Sequence, residues 1–85
     1  MIEDKEKLSF EEALCTRVKY LRERRHWSIR YTAEMLDIGE DAYSTYEWRT
    51  PMPHRLIPKF AALMGVTISY LLTGHDEKWT PDKIA

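Results

Sequence analysis

Eight side chains between residues 28 and 55 have the chemistry to grip a duplex: Ser28, Arg30, Glu40, Asp41, Ser44, Thr45, Arg49 and Arg55. A guanidinium matches the oxygens of a phosphate, so Arg30, Arg49 and Arg55 are candidate backbone contacts. Ser28, with the free N–H groups of a helix start, makes an anion site. Ser44 and Thr45 are small enough to admit a base edge and can donate or accept a hydrogen bond. Glu40 and Asp41 are acceptors only, and a carboxylate in the major groove accepts from the amino group of cytosine. Facing phosphate, they would repel. Their other reading is purely local, because acids in the first turn of a helix are favoured by about 0.3–1 kcal/mol each.

The rest of the chain offers little other chemistry. There is no Ser–His–Asp set, no carboxylate pair with a companion base and no glycine-rich phosphate loop, so an enzyme is not expected. Cys15 is the single cysteine, and the histidines at 26, 54 and 75 are scattered. Neither an intrachain disulfide nor a metal or cofactor site is expected. Cys15 reads as a small apolar residue on the first helix.

These candidates need a scaffold, and 85 residues suit one domain. Apolar residues make up 44% and charged residues 32%, the balance of a folded chain with a thin core. No apolar run approaches the roughly 18–20 residues that span a bilayer. The opening MIEDKEKL has no apolar signal-peptide centre, which gives the expectation of a cytoplasmic protein without membrane contact. The net charge of −1 is unevenly spread. Residues 1–12 carry −3, residues 13–60 carry +3 and residues 61–85 carry −1. A basic middle suits a phosphate-facing surface or, equally simply, a solvated helix face.

Local signals predict five short helices and no strand. Residues 1–8 read as a flexible acidic tail, residues 9–74 as the folded domain and residues 75–85 as a polar tail. Ser9 and Glu12 form a capping-box pattern, and Phe10, Leu14, Val18 and Leu21 recur at helical spacing over about 10–25. The run RERRH at its end suits either the helix dipole or phosphate. Trp27 reads as an anchor filling the gap that follows. Ser28 caps a second helix, 29–36, which Asp37 ends in a tight turn. Ile38 points back to the core, and a third helix covers about 40–48. Thr50-Pro51-Met52-Pro53 breaks the chain. A fourth helix, about 54–64, stops at Gly65, with Pro58 either in its first turn or costing one hydrogen bond. A fifth, about 68–72, is closed by Gly74. Tyr20, Tyr31, Tyr43, Tyr46 and Tyr70, with Met35, Met64, Leu71 and Leu72, are expected in the core or half-core. Glu47 is expected to hold the loop between helices 3 and 4, or to pair with Arg49 or Arg55.

Helices 2 and 3 carry the central pattern. Small Ala33 sits where two helices must cross closely, and Leu36 and Ile38 flank a tight turn. Tyr43 and Tyr46 face inward from the third helix. Two short helices so joined are a helix-turn-helix, about residues 29–48. The segments RVKYLRERR, WSIRYTAEMLDI, AYSTYEWR and LIPKFAALMGVTISYLLTG together closely resemble the Cro and lambda-repressor type of helix-turn-helix protein, over about residues 15–74. Tyr46-Glu47 and the ending GVTISYLLTG look particularly like that phage and bacterial repressor family. The resemblance implies a compact five-helix, all-α, lambda-repressor-like domain. It implies sequence-specific binding to double-stranded operator DNA as a homodimer that regulates transcription.

The sequence also departs from the family. Ile29 stands where Gln often braces a phosphate, Thr32 where Leu is usual, and Asp37 where Gly is usual. The third helix opens Gly39-Glu40-Asp41 in place of Ser and polar or basic residues. Two readings follow. In the first, helix 40–48 enters the major groove of an operator: Ser44, Thr45 and one of Glu40 and Asp41 read bases, while Ser28, Arg30, Arg49 and Arg55 grip phosphate. In the second, the acidic face binds a protein partner, as in an antirepressor or antitoxin. Helix 5 and the tail, with Leu71, Leu72 and Trp79, are the expected dimer surface.

Overall fold

Each helix begins and ends where local chemistry satisfies its free backbone groups. In the computed structural model, which describes residues 9–75, the five helices are α1 (Phe10–Arg24), α2 (Ile29–Leu36), α3 (Glu40–Trp48), α4 (Ile57–Met64) and α5 (Ile68–Thr73). A single 3-10 turn, His54–Leu56, leads into α4, and no strand occurs among the described residues. The architecture is all-α.

The capping box forms in full: the Glu12 N–H donates to Ser9 Oγ, and the Ser9 N–H donates to Glu12 Oε1, each at 3.1 Å. Ser28 Oγ accepts from the Tyr31 N–H at 2.9 Å to start α2. Thr67 Oγ1 accepts from the Tyr70 N–H at 2.9 Å to start α5. Caps of this kind contribute about 0.5–2 kcal/mol each. Pro58 falls in the first turn of α4, where its missing N–H has no partner to lose. Two C-termini close on left-handed glycines, Gly65 and Gly74. α2 closes on Asp37 at φ 61°, a conformation most side chains resist, and His26 adopts the same φ after α1.

The core gathers one stripe from every helix. Leu14, Val18 and Leu21 of α1 meet Ala33 and Leu36 of α2, Tyr43 of α3, Phe60 and Ala61 of α4, and Leu71 of α5. Tyr43 and Phe60 are both fully buried, with ring centroids 6.5 Å apart. Met52, from the proline-flanked break, is buried too and fills the core beneath the loop. Ala33 is buried where α2 meets α3, so a larger side chain would push the helix pair apart.

Several apolar expectations change. Phe10, Tyr20, Tyr31 and Met35 are exposed. Phe10 belongs to the first turn of α1 and Met35 lies on the outer side of α2. Periodicity extended the buried stripe one turn too far at Phe10, whereas Met35 lies beside a stripe that continues to the buried Leu36. Tyr31 is braced from the side, its ring edge-on to Trp27 with centroids 4.9 Å apart. Leu71 is fully buried and Leu72 half-buried against the same core, so Leu71 is not free to form a dimer surface. Trp79 and both predicted tails, 1–8 and beyond His75, lie outside the described residues.

Candidate nucleic-acid interface

α2 and α3 form a helix-turn-helix whose two helices are held at the turn by backbone hydrogen bonds. The Ile38 N–H donates to the Ala33 carbonyl at 3.0 Å, closing α2, and Gly39 caps α3. The outward side of α3 begins with Glu40 and Asp41, both exposed in its first turn. Among the described residues neither enters an ion pair. Ser44 and Thr45 follow, half-exposed, between the inward-turned Tyr43 and the half-buried Tyr46. The Thr45 hydroxyl donates to the Asp41 carbonyl at 3.0 Å. Its hydrogen is thereby committed to the helix backbone, and its oxygen keeps the capacity to accept.

The candidate cations sit around this helix. Arg30 is exposed in the first turn of α2, and its Nε lies 3.7 Å from Glu34 Oε2. Both side chains are more than half exposed, so that pair is screened and weak, and Arg30 can exchange it for phosphate. Arg49 is the C-cap of α3 and is exposed. Its guanidinium lies 5.7 Å from the centroid of the Trp48 ring, itself 68% exposed. Trp48 is thus largely open to solvent, lining a shallow groove with Cys15 and Lys19 of α1. Arg55 is exposed in the 3-10 turn before α4. Ser28 is exposed at the start of α2, with its oxygen already engaged in capping. Its contribution to an anion site is thus an ordered helix start more than a free hydroxyl.

Glu47 takes a different place from the expected one. It is 6% exposed and is paired with Arg22 of α1, not with the loop after α3, Arg49 or Arg55. Arg22 Nε donates to Glu47 Oε2 at 2.5 Å, and Nη2 donates to Oε1 at 3.1 Å. The third guanidinium nitrogen, Nη1, donates to the Trp27 carbonyl at 2.7 Å. The Tyr43 hydroxyl donates to Glu47 Oε2 at 2.5 Å. Burial, then the hydrogen bond to this carboxylate, push the Tyr43 phenol far above its usual range. The same carboxylate raises Arg22, so the guanidinium stays charged. Every fully buried side-chain polar atom among the described residues has a partner.

RERRH therefore divides. Arg22 turns inward while Glu23, Arg24 and Arg25 stay exposed. The clue lay in register: Cys15, Val18 and Arg22 recur at i, i+3 and i+7, which puts Arg22 on the buried stripe. Glu47 likewise lies four residues after Tyr43 on the inward side of α3. Cys15 is buried as expected, and burial pushes its thiol up. No cluster of three or more potential metal ligands occurs among the described residues. No described helix is long and apolar enough to cross a membrane.

This chain is 35% identical over 66 residues to the HTH-type transcriptional regulator AnsR of Bacillus subtilis. The match covers 75% of this chain and 56% of that protein, so the chain spans about half the length of the relative. No family model matches the chain, and no solved structure matches it significantly. The similarity is to a protein of helix-turn-helix type, and that is the arrangement α2 and α3 adopt here.

Proposed function

We propose that the chain is a sequence-selective duplex-DNA-binding regulator of transcription, of the Cro and lambda-repressor type, acting as a repressor. The observation that carries this reading is the division of α3 into two sides. Tyr43 and Glu47 are locked into the domain, while Glu40, Asp41, Ser44 and Thr45 are left polar and accessible. The likeness to a transcriptional regulator supports it. α3 enters the major groove, which is about 12 Å wide. Ser44 and Thr45, with Glu40 or Asp41, read base edges; Ser28, Arg30, Arg49 and Arg55 hold phosphates on either side. Two copies place their reading helices about 34 Å apart, one turn of DNA. α5 and the residues that follow it are the proposed contact between copies.

One observation favours a second reading. From Tyr31 to Trp48 the chain has five acids and no lysine or arginine. Such a face also suits a basic protein partner, as in an antirepressor or antitoxin. Selection from a random-sequence duplex pool at low salt separates the two. Enrichment of a near-palindrome with half-sites about ten base pairs apart is the expected result. Retention no better than for bulk DNA would overturn the repressor reading in favour of the protein-binding one.

A further inference from the structure

The buried cluster of Arg22, Tyr43, Glu47 and the Trp27 carbonyl ties together three parts that a reader of DNA must keep in register. Arg22 belongs to α1, Tyr43 and Glu47 to α3, and Trp27 to the loop that ends at Ser28, the cap of α2. The Arg22 and Glu47 side chains are only 12% and 5% exposed. One guanidinium thus holds α3 with two nitrogens and the approach to α2 with the third. Tyr43 and Glu47 stand one helical turn apart, and Ser44 and Thr45 lie between them. The reading residues therefore sit within a turn bonded at both ends.

We infer that Arg22 is a positioning residue that fixes the distance between the phosphate-holding start of α2 and the base-reading turn of α3, with Tyr43 and Glu47 as its anchors. This rests on the DNA-binding reading above. Phosphate contacts set the register of a protein on the duplex and base contacts read sequence, so selectivity requires the two sets to be held at one spacing. Three other arginines take no part in this cluster. Arg24, Arg25 and Arg49 each lie beside an aromatic ring, 5.7 Å from its centroid, at exposed positions.

The test uses the full chain with Tyr43→Phe and Arg22→Lys. Tyr43→Phe keeps the Arg22–Glu47 fork; Arg22→Lys keeps the charge but cannot make the fork. Affinity is measured for the selected site and for a scrambled duplex, at a temperature where melting shows each variant fully folded. The selected-to-scrambled ratio should fall by about fivefold or more in each, as expected when a hydrogen bond that holds the register is lost. Affinity for the scrambled duplex and its salt dependence should stay unchanged. A purely structural role would alter melting and leave that ratio intact, and this result overturns the inference. Should Arg22→Lys fail to fold, Arg22→Gln, which keeps one donor for Glu47 but loses the fork, takes its place. A second arm, hydrogen exchange of the free protein, keeps the two readings apart. Faster exchange of the α3 amides in Tyr43→Phe, with α4 and α5 unchanged, shows that the cluster holds α3. Unchanged α3 protection overturns the inference, even if the wild-type chain proves to select no DNA.

Discussion

The Thr45 hydroxyl donates to the carbonyl of Asp41, 3.0 Å away and one turn earlier on α3. This bond commits the hydrogen of Thr45 to the helix and leaves its oxygen as an acceptor. Glu40 and Asp41 are acceptors as well, so the start of α3 offers lone pairs where many reading helices offer donors. Amino groups are what such a surface can read: N4 of cytosine and N6 of adenine.

Replacing Asp41 by Asn tests that chemistry, because an amide adds donors at almost unchanged size. If Asp41 reads a cytosine, selection with Asp41→Asn should move one position of each half-site from cytosine toward adenine. The shift should amount to about 1–3 kcal/mol of discrimination. An identical enriched site from both proteins would assign Asp41 to the helix dipole alone.

Salt dependence counts phosphates. The double variant Arg49→Ala, Arg55→Ala should flatten the slope of log affinity against log salt by about two units. Both side chains are exposed and outside any ion pair among the described residues, so folding stability should change little. An unaltered slope would remove both arginines from the interface.

Glu47→Ala should destabilise the fold by about 3–5 kcal/mol, because it leaves the buried Arg22 guanidinium with only the exposed Glu23, 3.9 Å away, as a counter-charge. Denaturant midpoints measure this directly. A loss under about 1 kcal/mol would mean that water reaches Arg22 freely.

Alkaline pH should weaken the fold through Tyr43. Its phenol is raised above the ordinary 10.0 by burial and by Glu47. Below pH 10 the phenol is neutral in both folded and unfolded chains, and its contribution to stability is fully present. Above pH 10 the unfolded chain releases this proton while the folded chain keeps it. Stability then falls by about 1.4 kcal/mol per pH unit, until the folded phenol also ionises. Denaturation of the wild-type chain and Tyr43→Phe across pH 9–11 isolates the effect, since only the wild type should show this part of the slope.

What could be read from the sequence was what is local. Ser9 with Glu12, Ser28, Gly65 and Gly74 mark their helix ends through hydrogen bonds to neighbours a few residues away, and each does so in the structure. Asp37 in a left-handed turn was legible for the same reason. The partner of Glu47 was not, because Arg22 lies 25 residues earlier and only its register, not its residue type, sets it apart from Arg24 and Arg25. Burial at the edges of a stripe was also hidden. Whether Phe10 or Met35 is covered depends on which helix passes over it, not on its own spacing. The candidate contacts were legible as residue types; their hydrogen-bonding state, as at Thr45, belongs to the folded helix.

The exposed acids at the mouth of α3 bear on how such a regulator would find its target. No lysine or arginine lies between Arg30 and Arg49, so α3 itself has little attraction for duplex of arbitrary sequence. Brief encounters with bulk DNA favour travel by repeated detachment over long one-dimensional sliding. The acids that narrow the set of acceptable sequences would then also shorten the time lost on every wrong one.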